Sequence, residues 1–165
     1  MVVRCTQKML DLLGGRSLTL VDLAPSDDDW YLNLLWIERR KCLLLTHNGT
    51  LFSVFRADIR SANLRPPGAY LVDAIEAELR AEQLPIDAFS ALAPDRVLLA
   101  KTSSRRTLGF MTEIAAELEC AIPAADGLSA CDIGVLNRRL RRTLHNRDGY
   151  VTAIELVEAK LAARA

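Results

Sequence analysis

The chain has 165 residues, half of them hydrophobic and a quarter charged, the composition of an ordinary globular domain long enough to bury a core. Its 21 basic and 21 acidic residues cancel to a formal net charge of zero, which excludes a global electrostatic pull toward nucleic acid or an anionic membrane. No segment approaches the roughly 18 apolar residues that a membrane span needs.

Val2 to Thr6 reads as a short strand. Thr6 is then a candidate N-cap for a helix through Leu13, and Gly14-Gly15 stops it. Arg4, Lys8 and Asp11 interrupt this N-terminal stretch, so no signal peptide is expected. Leu18 to Leu23 fits no single pattern, and Pro25 to Asp29 is a loop carrying three consecutive acids, Asp27, Asp28 and Asp29. Tyr31 to Ile37 is apolar on both faces, the pattern of a buried strand. Glu38-Arg39-Arg40-Lys41 interrupts it, and Cys42 to Thr46 is the returning strand. Asn48-Gly49 tolerates the positive φ angles of a two-residue type I′ turn and predicts a third strand over Leu51 to Phe55. Residues 31–55 thus read as a three-stranded antiparallel meander.

Arg65-Pro66-Pro67-Gly68 breaks the chain. A helix is predicted from Ala69 to Gln83, with Leu71, Ile75 and Leu79 on one face, and a shorter one over Pro85 to Leu92, with Ile86, Phe89 and Leu92 inward. Val97 to Lys101 is a strand. Thr107 to Cys120 is a helix whose inward stripe is Leu108, Met111, Ala115 and Leu118, with Gly109 allowing its first turn to pack closely on the sheet. Pro123 to Gly127 reads as a linker. Two helical patterns follow, over 131–145 and 150–162, separated by Gly149. Ile133, Leu136, Leu140 and Leu144 line the first; Ile154, Val157 and Leu161 line the second.

These elements predict an α+β fold: an antiparallel sheet of about four or five strands with helices packed on one face, plus a C-terminal helical pair. The expected division is a core domain over 1–122 and a helical extension over 128–165, packed on the core or appended to it. Cys5, Cys42, Cys120 and Cys131 form no Cys-x-x-Cys pair, which fits a reducing compartment better than a disulfide framework, so a cytoplasmic location is expected.

Three stretches, in this order and at this spacing, carry a family likeness: Cys5-Thr6-Gln7-Lys8; Trp30-Tyr31-Leu32-Asn33-Leu34-Leu35 leading into Arg39-Arg40-Lys41-Cys42; and Lys101-Thr102-Ser103-Ser104-Arg105-Arg106-Thr107-Leu108-Gly109-Phe110-Met111. Over roughly residues 1–120 the chain resembles the bacterial family catalogued as domain of unknown function 6933. The resemblance implies a small cytoplasmic α+β domain and supplies no activity, cofactor or catalytic residue. The tail from Leu128 onward falls outside it.

The residues themselves mark three basic clusters. In the first, Lys101, Thr102, Ser103, Arg105 and Arg106 stand where a strand opens into a helix. Free N–H groups and the positive dipole end there favour an anion, and the arginines add bidentate geometry for phosphate or carboxylate. Equally, Thr102, Ser103 or Ser104 caps the helix and the arginines pair with nearby acids. In the second, Arg39, Arg40 and Lys41 occupy a hairpin turn, with Trp30 and Asn33 in the strand before it. They form one patch with the first cluster if the two converge; otherwise they are solvated charge at a turn. In the third, Arg138, Arg141 and Arg142 share one side of an amphipathic helix, a surface for nucleic acid or an acidic partner, or simply a solvated face.

Catalytic signals are weak. Cys42 and His47 are separated by an odd interval and lie on opposite faces of a continuous strand, and there is no metal-ligand spacing or carboxylate cluster. No catalytic residue, metal or cofactor is assigned. The expected function is a non-enzymatic binding or regulatory module with a basic patch for an anionic ligand, including nucleic acid. The alternatives are an enzyme acting on a phosphorylated or carboxylate substrate, and a protein-partner module facing acidic residues of another chain; no membrane association is expected.

Overall fold

The computed structural model describes residues 1–146 and 149–164. Five strands, β1 (Val2–Cys5), β2 (Trp30–Ile37), β3 (Arg40–His47), β4 (Ser53–Arg56) and β5 (Leu98–Lys101), form one sheet in the order β4-β3-β2-β1-β5. The meander β2-β3-β4 is antiparallel as expected, but β1 runs parallel to both β2 and β5. The sheet is therefore mixed rather than antiparallel, within an α+β fold. The cause is connection length. Tight turns join β2, β3 and β4, whereas helix-bearing crossovers precede β2 and β5 and bring each in parallel to β1.

Helices cover both faces, not one. Val3, Cys5, Trp30, Leu32, Leu34, Leu43 and Leu45 meet α1 (Gln7–Leu13) and α2 (Pro67–Ala81). Tyr31, Ile37, Cys42, Leu44 and Phe55 meet α3 (Arg105–Ala124) and α4 (Ile133–Leu140) on the other side. A strand whose successive residues are all apolar has no face for water, so the pattern of β2 and β3 demands cover on both sides. The inward stripe of α3 is Phe110, Met111, Ile114, Leu118 and Ile122. The residues expected there, Leu108 and Ala115, are only half-buried, and Gly109 is exposed with open space where a Cβ would stand, so it serves no close packing. The helix also runs through Pro123, which the sequence placed in a linker.

The turns exchange roles. The two-residue turn with both residues at positive φ is Glu38-Arg39 (φ 48° and 65°), the type I′ signature without glycine or asparagine. Asn48-Gly49 instead belongs to a four-residue loop in which Leu51 takes the positive φ, 58°. Asn48 and Gly49 turn toward the acidic loop, where their N–H groups donate to the carbonyls of Asp29 and Asp27, both at 2.8 Å. A Cβ on Gly49 would stand 2.7 Å from the Asp27 carbonyl oxygen, so the glycine is there for close approach. The segment from Pro85 to Leu92 forms turns rather than a helix; Phe89 is buried, while Ile86 is exposed.

After α4 the chain forms a short hairpin, β6 (His145–Asn146) and β7 (Tyr150–Val151), and then α5 (Ala153–Ala162), opened by a capping box of Thr152 and Glu155. The helix expected over 131–145 stops at Leu140, and Leu144 is exposed. Arg147 and Asp148, within the same stretch, lie outside the described residues. Leu128, Leu136 and Leu140 complete one core, and Val157 completes the other. The C-terminal segment is thus built into the fold.

The outer edge of β4 is closed by side chains. The buried Asn137 amide accepts from the Phe55 N–H at 2.7 Å and donates to the Phe55 carbonyl at 3.0 Å, as a neighbouring strand would. Arg141 donates to the Ser53 carbonyl at 3.2 Å.

Candidate functional site

The first basic cluster sits where expected, between β5 and α3. Ser104 is the N-cap, its Oγ accepting from the Thr107 N–H at 3.2 Å. The Ser104 N–H donates to the Tyr31 hydroxyl at 3.0 Å, and the Thr107 hydroxyl donates to Asn48 Oδ1. Strand β2 and the loop between β3 and β4 thus fix the junction from two sides, leaving the N–H groups of Arg105 and Arg106 as the open ones of the first turn.

Beside this junction, at the C-terminal ends of the parallel strands β1 and β5, lies a cleft of about 550 Å³. It is lined by Lys101, Thr102, Ser103, the segment Leu20 to Pro25, and Arg4. Arg4 comes from β1 and is 3 % exposed. Its Nε donates to Asp29, its Nη2 to the carbonyls of Leu23 (2.8 Å) and Ala24 (3.0 Å), and its Nη1 to that of Lys101 (3.3 Å). A guanidinium has five N–H donors, so one on Nη1 is left without a partner among the described residues. Arg4 therefore builds the cleft, tying the Leu20–Pro25 wall to the end of β5; the Val21 N–H adds a bond to the Leu99 carbonyl at 2.8 Å. The lone arginine in Val2-Val3-Arg4-Cys5 was the sequence signal for this, because a charge inside an apolar strand needs partners.

Arg105 and Arg106 do not line that cleft. They border a separate depression of about 280 Å³ with Leu51, Gly109, Phe110, Glu113, Leu144 and His145. The His145 ring stacks edge-on against Phe110 at 4.4 Å. Burial holds its imidazole below the usual 6.5, against the opposing pull of Glu113 and Glu117. Lys101, Arg105 and Arg106 form no ion pair with a carboxylate among the described residues, so the capped-helix reading is realised in Ser104 but not in paired arginines.

The second cluster does not join the first. Arg39 lies in, and Arg40 directly follows, the tight turn at the far end of β2, where Glu38 accepts from the Leu128 N–H beyond the C-terminus of α3. Twenty helical residues separate that end of α3 from Arg105, about 30 Å at the usual rise. Arg40 binds Ser129, and Lys41 binds Ser61 with its ammonium 5.8 Å from the centre of the Trp36 ring. Trp30 is fully buried, edge-on to His47 and Phe89, and is not part of the cleft lining. Asn33 is half-buried and accepts from the Thr6 hydroxyl at 2.9 Å, so Thr6 uses its side chain there and not as a helix cap.

The third cluster is mostly consumed. Arg141 is fully buried, bound to Glu78 (2.9 Å) and Glu82 (2.7 Å), with its guanidinium 4.9 Å from the Phe52 ring centre. Arg142 pairs with Glu82 at 2.6 Å, and Arg139 with Glu117 at 3.2 Å. Burial opposes ionisation of Glu82, but the hydrogen bonds and charges of Arg142 and Arg141 outweigh it and hold its carboxyl below the usual 4.5. Of the three arginines assigned to an external contact, Arg138 alone is exposed without an acidic partner among the described residues. The acids that take the others lie on or just after α2, some sixty positions away in sequence.

A mixed five-stranded sheet between helical layers, with a cleft of mixed polar and apolar lining at the ends of its parallel strands, defines an α+β domain. The chain belongs to the family described as Domain of unknown function (DUF6933), whose model matches residues 2–156. The match passes well beyond residue 120, so the C-terminal segment expected to fall outside the family is part of its domain. No curated protein matches the chain. Among the described residues, no helix is long and apolar enough to cross a membrane.

Proposed function

We propose that this domain is a binding module whose cleft takes the anionic group of a small ligand. The observation that carries this reading is the shared lining: Lys101, Thr102, Ser103 and the buried Arg4 border one recess at the carboxyl ends of two parallel strands, where α/β sheets commonly bind ligands. Lys101 supplies the charge, the two hydroxyls supply donors, and the remaining Arg4 N–H supplies a buried one. The C-terminal arginines, held by Glu78, Glu82 and Glu117, favour a small ligand over nucleic acid.

Amide chemical shifts of the labelled protein, followed while sodium acetate or inorganic phosphate is added, test this. Residues 101–104 and 21–24 are expected to move together, and Lys101→Ala to weaken the response about tenfold, the loss of one charged hydrogen bond. Shifts confined to Arg39–Lys41, or none at all, would overturn the reading.

A further inference from the structure

The cleft carries a second, opposite charge. Asp22 lines the same recess as Lys101. Both side chains are exposed, and neither is ion-paired with any described residue. The other charge in the lining, Arg4, is already neutralised by Asp29. The recess therefore presents one open cation and one open anion more than a salt-bridge length apart. The aliphatic residues Leu20, Val21, Leu23, Ala24 and Pro25 line the same recess.

A simple anion would satisfy Lys101 and face repulsion from Asp22; a simple cation would do the reverse. A ligand with both charges pairs with Lys101 and Asp22 at once and avoids the repulsion that either simple ion meets. We infer that the cleft takes a small zwitterion of amino-acid type: its carboxylate on Lys101, Thr102 and Ser103, its ammonium on Asp22, and an aliphatic side chain against Leu20, Leu23 and Pro25. This rests on the preceding reading for the carboxylate end and adds the ammonium end and the apolar wall. A recess of about 550 Å³ lies within the range of small-ligand sites and has room for such a molecule.

Three probes of matched shape separate the two readings: L-leucine, 4-methylpentanoate (the same skeleton without the ammonium) and 3-methylbutylamine (without the carboxylate). Each is titrated by calorimetry or amide shifts against the wild-type chain, Asp22→Asn and Lys101→Met. Leucine is expected to bind about tenfold tighter than 4-methylpentanoate, with the advantage lost in Asp22→Asn and all carboxylate binding reduced in Lys101→Met. If 4-methylpentanoate binds as well as leucine, the zwitterion is wrong and the anion site stands. If the amine binds best, or if none of the three binds, both are wrong. Asp22 and Lys101 are exposed, and an unchanged thermal midpoint shows that each variant remains folded.

Discussion

Asn137 does the work of a strand with one side chain. Its amide meets both backbone groups of Phe55 and also donates to Glu78 at 3.1 Å, all without contact with water. Asn137→Ala would leave buried backbone groups and a carboxylate short of partners, with a cost of about 2–4 kcal/mol. A urea midpoint lowered with an unchanged slope checks this. The sequence did not reveal the role. A polar residue at an inward position is recognisable from helical spacing, but its partner on β4 lies eighty-two positions earlier. The same gap explains Arg141. Spacing placed it with Arg138 on a solvent face, and only the fold brings Glu78 and Glu82 to it. Arg4 was the converse: its strand was legible, but the carbonyls that surround it come from an irregular segment with no periodic signal.

At the scale of elements, apolar alternation carried far. The β2-β3-β4 meander, α2 and the β5-to-α3 junction were all readable, because each is set by local pattern and its own turn chemistry. What failed were turns and helix ends, where distant contacts decide. Asn48-Gly49 has the composition of a tight hairpin but is drawn into bonds with the Asp27–Asp29 loop, while Glu38-Arg39 accepts the left-handed conformation that those residues disfavour. Glu38 gains the Leu128 N–H in return; the Arg39 side chain has no ion-pair partner among the described residues. Arg39→Gly is therefore expected to stabilise the chain by about 1 kcal/mol by relieving the positive φ. A rise in thermal midpoint is the readout, and no change would show that the turn bears no strain.

At the scale of the molecule, the sequence suggested a core domain with a helical extension packed on it or appended to it, a division drawn at the Pro123–Gly127 stretch. Leu128, Leu136, Leu140 and Val157 fill the two cores that the sheet separates. Lys160 on α5 also reaches Asp28 in the acidic loop. A chain ending at residue 122 would expose the apolar layer under α4 and the edge of β4. It is expected to lose fixed side-chain packing, seen as collapse of amide dispersion and of the near-ultraviolet signal. A well-dispersed spectrum from that fragment would restore the two-part description.

The closure of β4 by Asn137 and Arg141 has a further consequence, for how copies of this chain behave toward one another. An open strand border is a template on which a second molecule can add its own strand. Here the amide occupies Phe55 and the guanidinium occupies Ser53, while at the opposite border the Val21 N–H occupies Leu99. Both borders of the sheet thus carry bonds made within the chain, and the same side chains that hold α4 in place also take the Phe55 backbone and the Ser53 carbonyl out of that template.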